Sequence, residues 1–412
     1  MRAPVRLTYC SNVHAAPDLA AQLTSLQQHL APIAASARSS GRELGLGGWW
    51  PMPLADGLAQ SPSDRDRLKA AMDSVGVPLW TLNVFPFGDF HQDVVKTAVY
   101  SPDWGSEERL LYTRHCASVG AELVRGGAPD ERVLSLSTLP LGYRGPGDPA
   151  PDLRVMARNL ARCASAFAAI EQDTGVRCVL ALEPEPDCLL ETVADTASFL
   201  EQWLFEEGAW ATIPPDVLRR HLGVCVDLCH LAVVGEDPVA AIRDLVRRGI
   251  ALPKIQVSSC LEVREPSGLD RLLTFAEPRY LHQTAAASGI RSLDLDDVAA
   301  RRAAYEDAGR IRTHYHVPLD WDESGAFGST QAEVRCVLRA LSESGDLTAA
   351  FDAAGVELPL LEVETYTWSV LGARFGAEPL AKRIGKELEW VATELRAGGA
   401  APPGAETTHG IR

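Results

Sequence analysis

The sequence predicts an α/β fold, a (β/α)8 barrel of the TIM type in which strands and helices alternate along the chain. Short, uninterrupted apolar runs recur, and an amphipathic helix pattern follows almost every one of them. Such strands are typical of a parallel sheet covered by helices. Eight of these units suit a closed barrel better than an open sheet. The alternative, a doubly wound sheet with a second domain, is weakened in its nucleotide-binding form because neither GxGxxG after the first strand nor a Walker signature occurs.

The strand candidates are rich in aliphatic and β-branched residues, as in "VRLTYC", "RVLSLSTL" and "LGVCVDL", whereas "LGLGGWW" is a weaker candidate. In chain order they are residues 5–10, 44–50, 78–85, 132–139, 177–185, 222–228, 253–259 and 358–366. The helix candidates show apolar residues at a helical spacing. They are residues 17–38, 62–75, 106–126, 151–173, 192–204, 238–248, 330–344 and 377–396.

Two segments are longer than a plain barrel needs. Residues 86–105 form a long loop after the third strand, and residues 260–328 form an inserted, irregular loop region after the seventh. Loops of this length in a compact domain are usually functional, and βα loops lie at the face of a barrel where active sites are built. We therefore expect one barrel domain over residues 1–398. The Ala-, Gly- and Pro-rich residues 399–412 are predicted to be a flexible tail, which makes His409 a poor catalytic candidate.

Charge and composition exclude several classes of protein. The formal net charge is −16, whereas proteins that bind phosphate backbones carry a basic face, so we expect no nucleic-acid partner. The chain contains no apolar run of 18 residues, which predicts no insertion into a membrane. Residues 1–18 lack the apolar region of a signal peptide, and the nine cysteines form no CxxC pair. These features predict a cytoplasmic protein, and they also allow a homo-oligomer.

Polar residues stand where four of the predicted strands end. These are Glu183 and Glu185, Asp227 and His230, Gln256 with Ser258 and Ser259, and Glu362 and Glu364. Burying a carboxylate without a partner costs roughly several kcal/mol of folding free energy unless a cation compensates its charge. Carboxylate and imidazole ligands suit Mg²⁺, Mn²⁺, Co²⁺ or Zn²⁺. The pattern therefore predicts one divalent metal ion at the barrel mouth.

The residues alone leave several choices open. Side chains alternate along a strand, so Glu183 and Glu185 share a face, as do Glu362 and Glu364, and either member of each pair could be the ligand. Asp227 could equally be the N-cap of the next helix.

Histidines extend the candidate site into the loops. His314 and His316 form an H-x-H in a stretch that reads as extended, which would turn both imidazoles to one side, and the residues do not decide between them. The predicted substrate-binding residues are Asn83, His91, Gln256, His282 and Trp368.

Four motifs resemble a known group of proteins. The segment "VDLCHLAVVGEDP" resembles the D-x-C-H-x-x-x-x-G-x-D pattern of the xylose isomerase-like TIM barrels, which include ketose 3-epimerases and endonuclease IV. "LALEPEP" resembles the fifth-strand glutamate of that family, "LLEVETY" its final-strand L-E-T signature, and "RTHYHVP" its histidine-bearing loop after strand seven. The resemblance favours Glu364 over Glu362 and implies catalytic roles for Glu183 and Glu364. The metal ligands that it implies are Glu183, Asp227, His230, His314, His316 and Glu364.

A further set of segments is similar to the metabolite-traffic proteins of the Ebo type. They are "TYCSNVHAA", "LNVFPFGDFHQDVVKTAVYSPDW", "SLSTLPLGY" and "LEVETYTW", and they imply a role in making or delivering a small metabolite. The sequence also departs from the wider family. Gln256 stands where metal-dependent relatives often place histidine, and the second and third strands lack the histidines of a trinuclear zinc nuclease. DNA repair is therefore not expected.

The sequence thus favours a metal-dependent isomerase or epimerase of a sugar, a cyclitol or a related polyol. Glu183 and Glu364 would exchange the substrate proton in an enediolate-type reaction. One alternative is a hydrolase or lyase acting on a phosphorylated metabolite, for which Lys254, Arg312 and Arg144 are the candidate phosphate ligands. A second alternative is a carrier that binds a metabolite without reacting with it.

Overall fold

A computed structural model describes residues 5–124, 132–145, 150–206, 210, 212–376 and 378–397. The strands within these residues are β1 (Leu7–Tyr9), β2 (Leu46–Gly48), β3 (Leu79–Asn83), β4 (Val133–Thr138), β5 (Arg177–Leu182), β6 (Leu222–Asp227), β7 (Ala251–Val257), β8 (Leu261–Val263), β9 (Thr284–Ala286), β10 (Arg291–Ser292), β11 (Ile311–Thr313), β12 (Phe327–Ser329) and β13 (Leu360–Val363). In this part of the chain they form two sheets, one of eight strands and one of five.

The larger sheet is a barrel. Its strands run in the order β1-β13-β7-β6-β5-β4-β3-β2, and the neighbouring strands pair in parallel. A parallel bridge between Cys10 and Gly47 joins the two ends of this order and closes the sheet. Each of the eight predicted strands overlaps one strand of the barrel, so the predicted (β/α)8 fold is confirmed.

Helices follow the barrel strands and cover the outside of the sheet. They are α1 (Leu19–Ser25), α2 (Ala31–Ser39), α3 (Met52–Gln60), α4 (Pro62–Val75), α5 (Glu107–Val124), α6 (Leu153–Thr174), α7 (Val193–Leu200), α8 (Pro215–His221), α9 (Leu228–Val234), α10 (Pro238–Arg248), α11 (Leu269–Leu273), α12 (Leu295–Ala300), α13 (Arg302–Glu306), α14 (Gln331–Ala340), α15 (Asp346–Ala354), α16 (Trp368–Leu371) and α17 (Leu380–Ala397). Shorter π and 3-10 turns lie at Leu26–Leu30, Glu201–Phe205, Ser11–Val13, Lys96–Tyr100, Pro266–Gly268 and Gly372–Phe375.

Local chemistry sets the ends of these helices, as α6 shows. Asp152 accepts hydrogen bonds from the backbone N–H groups of Arg154 and Val155, and Gly175 ends the helix with a φ of 74°. Between these ends, α6 buries one apolar face that includes Leu160 and Phe167. None of the helices that the structure describes combines the length and apolar composition needed to cross a bilayer. The predicted flexible tail, residues 399–412, lies outside the described residues.

The segment predicted to be irregular contains a small second sheet. Strands β8 to β12 pair antiparallel in the order β10-β9-β11-β8-β12, and α11, α12 and α13 lie between them in the chain. The sequence did not predict these short elements within residues 260–328. Each of these strands has only two or three residues, which is too short for alternation to be recognised. Their pairing joins residues far apart in the chain, as between Ile311 and Val263.

The two long segments meet above the barrel mouth. The backbone N–H groups of Val95 and Lys96, in the segment after β3, both donate to the carbonyl of Arg279 at 2.8 and 2.9 Å. The Lys96 ammonium also pairs with the Asp294 carboxylate. These contacts hold the two segments together as one wall at the carboxyl ends of the strands.

The interior of the barrel is polar below this mouth. Lys254 of β7 and Glu362 of β13 form an ion pair at 2.7 Å, and both side chains are completely buried. Gly47 of β2 makes room for it, because a Cβ atom there would lie 1.7 Å from Glu362 Oε1. The absence of a side chain at Gly47 therefore allows a buried ion pair to fill the interior of the barrel.

We predict that Gly47→Ala lowers the free energy of unfolding by about 2 kcal/mol or more, since the methyl group displaces Glu362 from its partner. Chemical denaturation measures the change. Gly57→Ala in α3 is the matched control, because a Cβ atom there has nothing within 4 Å and alanine favours a helix. Equal stability of Gly47→Ala and the wild type would contradict the close approach.

Candidate metal centre

A cavity opens at the carboxyl ends of the barrel strands. Carboxylates and imidazoles from β5, α9, the inserted segment and β13 line one part of it. The segment after β3 and residues 280–281 line another part. This is the place where a (β/α)8 barrel builds its active site.

Three carboxyl groups converge beside this cavity, and two of them, Glu183 and Glu364, line it. Oxygen atoms of Glu183, Asp227 and Glu364 lie within 4.8 Å of one another, and the three residues are at most 5% exposed. Within the described structure, Glu183 Oε2 and Asp227 Oδ2 are buried without a hydrogen-bond partner. Oxygens buried in this way are costly unless a further group binds them. The triad therefore has the free ligand atoms that a cation requires.

Burial and repulsion raise the pKa values of Glu183 and Glu364. Burial raises the pKa of Glu183 well above its ordinary value, and the neighbouring Glu364 and Asp227 raise it further. Burial, then Asp227 and Glu362, raise the pKa of Glu364 to about 8. Carboxyl groups this close favour the neutral form unless positive charge is nearby. A divalent cation would supply that charge.

Asp227 combines the two roles that the sequence left open. Its Oδ1 accepts from the backbone N–H of His230 at 2.9 Å, as the N-cap of α9, and from the Ser258 hydroxyl at 2.8 Å. Its Oδ2 stays free for another ligand. One carboxylate thus begins a helix with one oxygen and faces the site with the other.

The imidazoles of His230 and His316 have fixed tautomers. The Nδ1 of His230 lies 2.9 Å from the carbonyl of Pro184, and the Nδ1 of His316 lies 2.7 Å from the carbonyl of Glu364. A carbonyl only accepts, so both Nδ1 atoms carry the hydrogen. Burial lowers the pKa of His316 to about 4, which leaves its Nε2 with a lone pair at neutral pH. That atom has no partner among the residues described.

His314 is oriented in the same way. Its Nδ1 lies 2.8 Å from Gln283 Oε1, and the Gln283 amide nitrogen donates to the carbonyl of Pro186 at 3.2 Å, which fixes the direction of the amide. Burial lowers the pKa of His314 well below its ordinary value. The Nε2 atoms of His314 and His230 lie 3.1 Å apart. Both ring nitrogens are thus placed where a metal ion could bind them, with their Nδ1 atoms held by other groups, as expected of a metal site.

The six residues predicted as metal ligands therefore lie together, but in overlapping groups. Ligand atoms within 4.8 Å of one another occur in the sets Glu183–Asp227–Glu364, Asp227–His230–His316 and Glu185–His230–His314. The mixed oxygen and nitrogen donors and the free buried atoms fit a divalent metal. Asp227 belongs to the first two sets and His230 to the last two, so these two residues connect the groups.

The two final-strand glutamates occupy different depths. Glu364 lines the cavity, whereas Glu362 lies below it, paired with Lys254. Gln256 lies in register between Asp227 and Glu362 and is completely buried outside the cavity lining. Neither of its amide atoms has a hydrogen-bond partner in the described part of the chain.

The other predicted substrate-binding residues separate into two groups. Asn83 lines the cavity and donates to Glu364 Oε1 at 3.2 Å. His91 lies behind the lining, with its Nε2 2.7 Å from the Asn12 carbonyl. The structure places His282 and Trp368 outside the cavity lining. His282 lies between the carboxylates of Asp294 and Glu277, at 3.0 and 3.2 Å, and Trp368 donates to Glu387 at 3.1 Å.

Several cavity residues were missed by sequence reasoning. The Tyr100 hydroxyl donates to Glu185 Oε1 at 2.6 Å and accepts from Gln283 at 2.9 Å. Asn12 donates to Glu364 Oε1 at 2.9 Å. Alternation along β5 had indicated Glu185, because it shares a face with Glu183. Asn12 and Tyr100 lie in 3-10 turns without a recognisable signal, so only the folded chain brings them to the site.

The basic residues considered as phosphate ligands do not reach the cavity. Lys254 is paired with Glu362 inside the barrel. Arg312 binds Glu262 and the carbonyl of Ala232, and Arg144 donates to the carbonyl of Leu189. Among the lining residues the one cation is Lys96, and it is paired with Asp294.

No protein-family model matches the sequence, and no curated protein is significantly similar to it. Solved structures resemble the barrel. The 3-keto-D-glucoside 4-epimerase YcjR from E. coli is 11% identical (95% of this chain, 100% of that chain, TM-score 0.43). The D-allulose 3-epimerase from Methylomonas sp. is also 11% identical (96% and 99%, TM-score 0.45). The IolI protein with a bound zinc atom is 10% identical (96% and 100%, TM-score 0.45). Similarity at this level transfers neither a substrate nor a residue's role.

Glu387 of α17 explains the position of Trp368. Its carboxylate accepts from the Thr365 hydroxyl at 2.6 Å, the Leu319 N–H at 3.1 Å and the Trp368 indole N–H at 3.1 Å. Burial raises the pKa of Glu387 to about 7, against an ordinary value of 4.5. The last helix is thus tied to the strand end beside Glu364 by a buried, titratable group.

We predict that this group makes stability depend on pH. Since folding raises the pKa of Glu387, its stabilising contribution is complete below about pH 4.5 and is lost as the pH rises through about 7. The free energy of unfolding of the wild type relative to Glu387→Gln should therefore fall by about 3 kcal/mol between pH 4 and pH 8. Glu389→Gln, an exposed position on the same helix, should show no such fall. A constant difference between Glu387→Gln and the wild type would refute the prediction.

Proposed function

We propose that the protein is a metal-dependent isomerase or epimerase of a sugar, a cyclitol or a related polyol, and that it works by enediolate-type proton transfer. One observation carries this proposal. Three buried carboxyl groups, Glu183, Asp227 and Glu364, approach one another within 4.8 Å, and two of their oxygens are free of partners in the described structure. Glu183 and Glu364 line the cavity, and Asp227 lies directly behind them. Such a site suits a cation together with a substrate rich in oxygen.

The metal would be held by Glu183, Asp227, Glu364 and imidazole nitrogen. His316 is the best placed imidazole, since its Nε2 is free and lies 3.9 Å from Asp227 Oδ2. Mn²⁺, Mg²⁺, Co²⁺ and Zn²⁺ all accept such a mixed ligand set. When bound, the ion would polarise a substrate carbonyl and stabilise the negative charge that develops there.

The chain itself supplies the groups that move the proton. Glu183 and Glu364 come from β5 and β13, which are separated in the barrel by β6 and β7, so their carboxyl groups approach the cavity from different sides. One would take the proton from the carbon beside the carbonyl, and the other would return a proton. Asn12 and Asn83 donate to Glu364 Oε1 and fix the direction of that carboxyl group.

The cellular role is proposed on the sequence alone. The segments similar to the Ebo-type metabolite-traffic proteins support a place in the biosynthesis or traffic of a small metabolite. The hydrolase or lyase acting on a phosphorylated metabolite is less favoured, because Lys96, the one cation in the described cavity lining, is paired with Asp294. A carrier without catalysis remains an outcome that the experiments below distinguish.

We predict that the purified protein binds about one Mn²⁺ tightly and that Asp227→Asn weakens binding by roughly 100-fold or more. The asparagine keeps the oxygen that caps α9 and accepts from Ser258, and it loses only the negative charge and the free Oδ2. Calorimetric titration with Mn²⁺ measures the affinity, and elemental analysis measures the metal content.

Asp237→Asn is the matched control, because Asp237 caps α10 through the Ala240 N–H in the same way but lies on the surface. It should bind Mn²⁺ as the wild type does. Absence of Mn²⁺, Mg²⁺, Co²⁺ and Zn²⁺ binding by the wild type would exclude a metal enzyme.

We predict that the loaded enzyme exchanges a carbon-bound proton of its substrate with solvent. Ketohexoses and keto-cyclitols are incubated in D₂O, and deuterium incorporation is followed by NMR. Glu183→Gln and Glu364→Gln should each slow the exchange by about 100-fold or more. The polyols that lack the carbonyl are the control and should not exchange. A ketose or keto-cyclitol that binds by calorimetry without exchange would support the carrier instead.

A further inference from the structure

The cavity has two chemically different parts. Its polar part carries the strand-end carboxylates, the imidazoles and the two asparagines described above. The rest of the lining includes Phe85, Phe90, Val95, Val99 and Leu281, whose side chains offer no hydrogen-bonding group, and the rings of Tyr280 and Tyr366. A ligand that fills the cavity therefore meets charged and hydrogen-bonding groups as well as an extensive aromatic and aliphatic surface.

Most of this apolar surface belongs to a cluster of its own, whereas Phe85 and Leu281 belong to the main core. The rings of Phe90, Tyr280 and Tyr366 contact one another, with centroid separations of 5.0, 5.3 and 4.9 Å. Together with Trp49 and Val95 they form a hydrophobic cluster separate from the main core of the barrel. Phe90 and Val95 belong to the segment after β3, and Tyr280 belongs to the inserted segment. Both long segments thus contribute apolar side chains to the same wall.

This wall begins directly beside the candidate metal ligands. The ring of Tyr366 lies 4.6 Å from the ring of His316, measured between centroids. Tyr366 is also two residues beyond Glu364 on the same strand end. A polyol held at Glu364 and His316 would therefore have its next substituent against the aromatic cluster.

A free sugar or a sugar phosphate fits this arrangement poorly. A free sugar carries hydroxyl groups on every side, and each hydroxyl buried against Phe90, Val95 or Val99 without a partner costs free energy. A phosphate needs cationic or N–H donors. Lys96 is the one cation in the described lining, and it pairs with Asp294 and donates to the carbonyl of Glu277 at 3.3 Å.

We infer that the substrate of the proposed isomerase is an amphipathic polyol, a sugar or cyclitol that carries an apolar alkyl or aryl substituent as a glycoside or an ether. The polyol occupies the carboxylate and imidazole part of the cavity, and the substituent packs on Phe90, Val95, Val99 and Leu281. This inference rests on the proposed function for the position of the polyol. It goes further in naming the class of substrate.

The test measures how affinity depends on the length of the apolar group. The Mn²⁺-loaded protein is titrated with methyl, butyl and hexyl β-D-glucopyranoside, and separately with the methyl, butyl and hexyl ethers of glycerol. Glucose and glucose 6-phosphate are the comparators. Each added CH₂ should tighten binding by about threefold to fourfold in at least one series, until the wall is covered. Glucose 6-phosphate should bind more weakly than hexyl glucoside.

Two variants test whether the gain comes from this wall. Val99→Thr keeps the volume of the side chain but adds a hydroxyl, and Phe90→Ala removes a ring. Both should reduce the gain per CH₂ to less than about twofold, and retained Mn²⁺ binding shows that each variant is folded. Phe87→Ala is the matched control, since Phe87 lies in the same segment but contacts the Tyr112 ring and is absent from the cavity lining. It should keep the full gain.

The outcomes separate this inference from the proposed function. Flat affinities across both series, no binding by any member, or tighter binding of glucose 6-phosphate than of hexyl glucoside would overturn the amphipathic substrate. If Mn²⁺ binding and proton exchange are intact in the same experiments, the proposed isomerase function is still supported. If affinity depends steeply on chain length but the protein binds no metal, the apolar wall is supported and the proposed metal-dependent isomerase is excluded.

Discussion

Repulsion among Glu183, Asp227 and Glu364 is the constraint on which the rest of the site depends. Their oxygens lie within 4.8 Å of one another in a buried place, where water screens charge poorly. Much of the surrounding structure reduces the cost of this arrangement. Lys254 lies below the triad with its positive charge, and the imidazoles of His230 and His316 lie beside Asp227. A divalent cation would complete the balance of charge.

The barrel makes such a concentration of charge compatible with folding. Helices bury the outer faces of the strands in a conventional apolar core, so stability does not depend on the interior being apolar. The interior can then hold the Lys254–Glu362 pair, for which Gly47 leaves the space. The two segments that close the mouth are fixed by polar contacts of their own, with His282 between Asp294 and Glu277. Polar groups above and below thus hold the site without competing for its ligand atoms.

The amphipathic character of the cavity arises because the strand ends and the long segments contribute different kinds of side chain to it. The strand ends supply the charged groups because the barrel directs them all to one place, whereas the long segments are free to supply a surface of different character. The aromatic cluster around Phe90 and Tyr366 packs apart from the main core and forms a wall next to His316. In the proposed function, the strand ends of the barrel therefore carry the reacting groups, and the long segments select the substrate.

The sequence by itself determined the barrel, the positions of its strands and the polar character of their ends, because apolar periodicity and strand-end residues are local properties of the chain. It could also name Asp227 and the two histidines after β11. Only the tertiary structure decided that Glu364 faces the cavity while Glu362 pairs with Lys254, and that His282 and Trp368 lie elsewhere. These outcomes, like the pairing of the short strands β8 to β12, depend on contacts between residues far apart in the chain, which local patterns do not record.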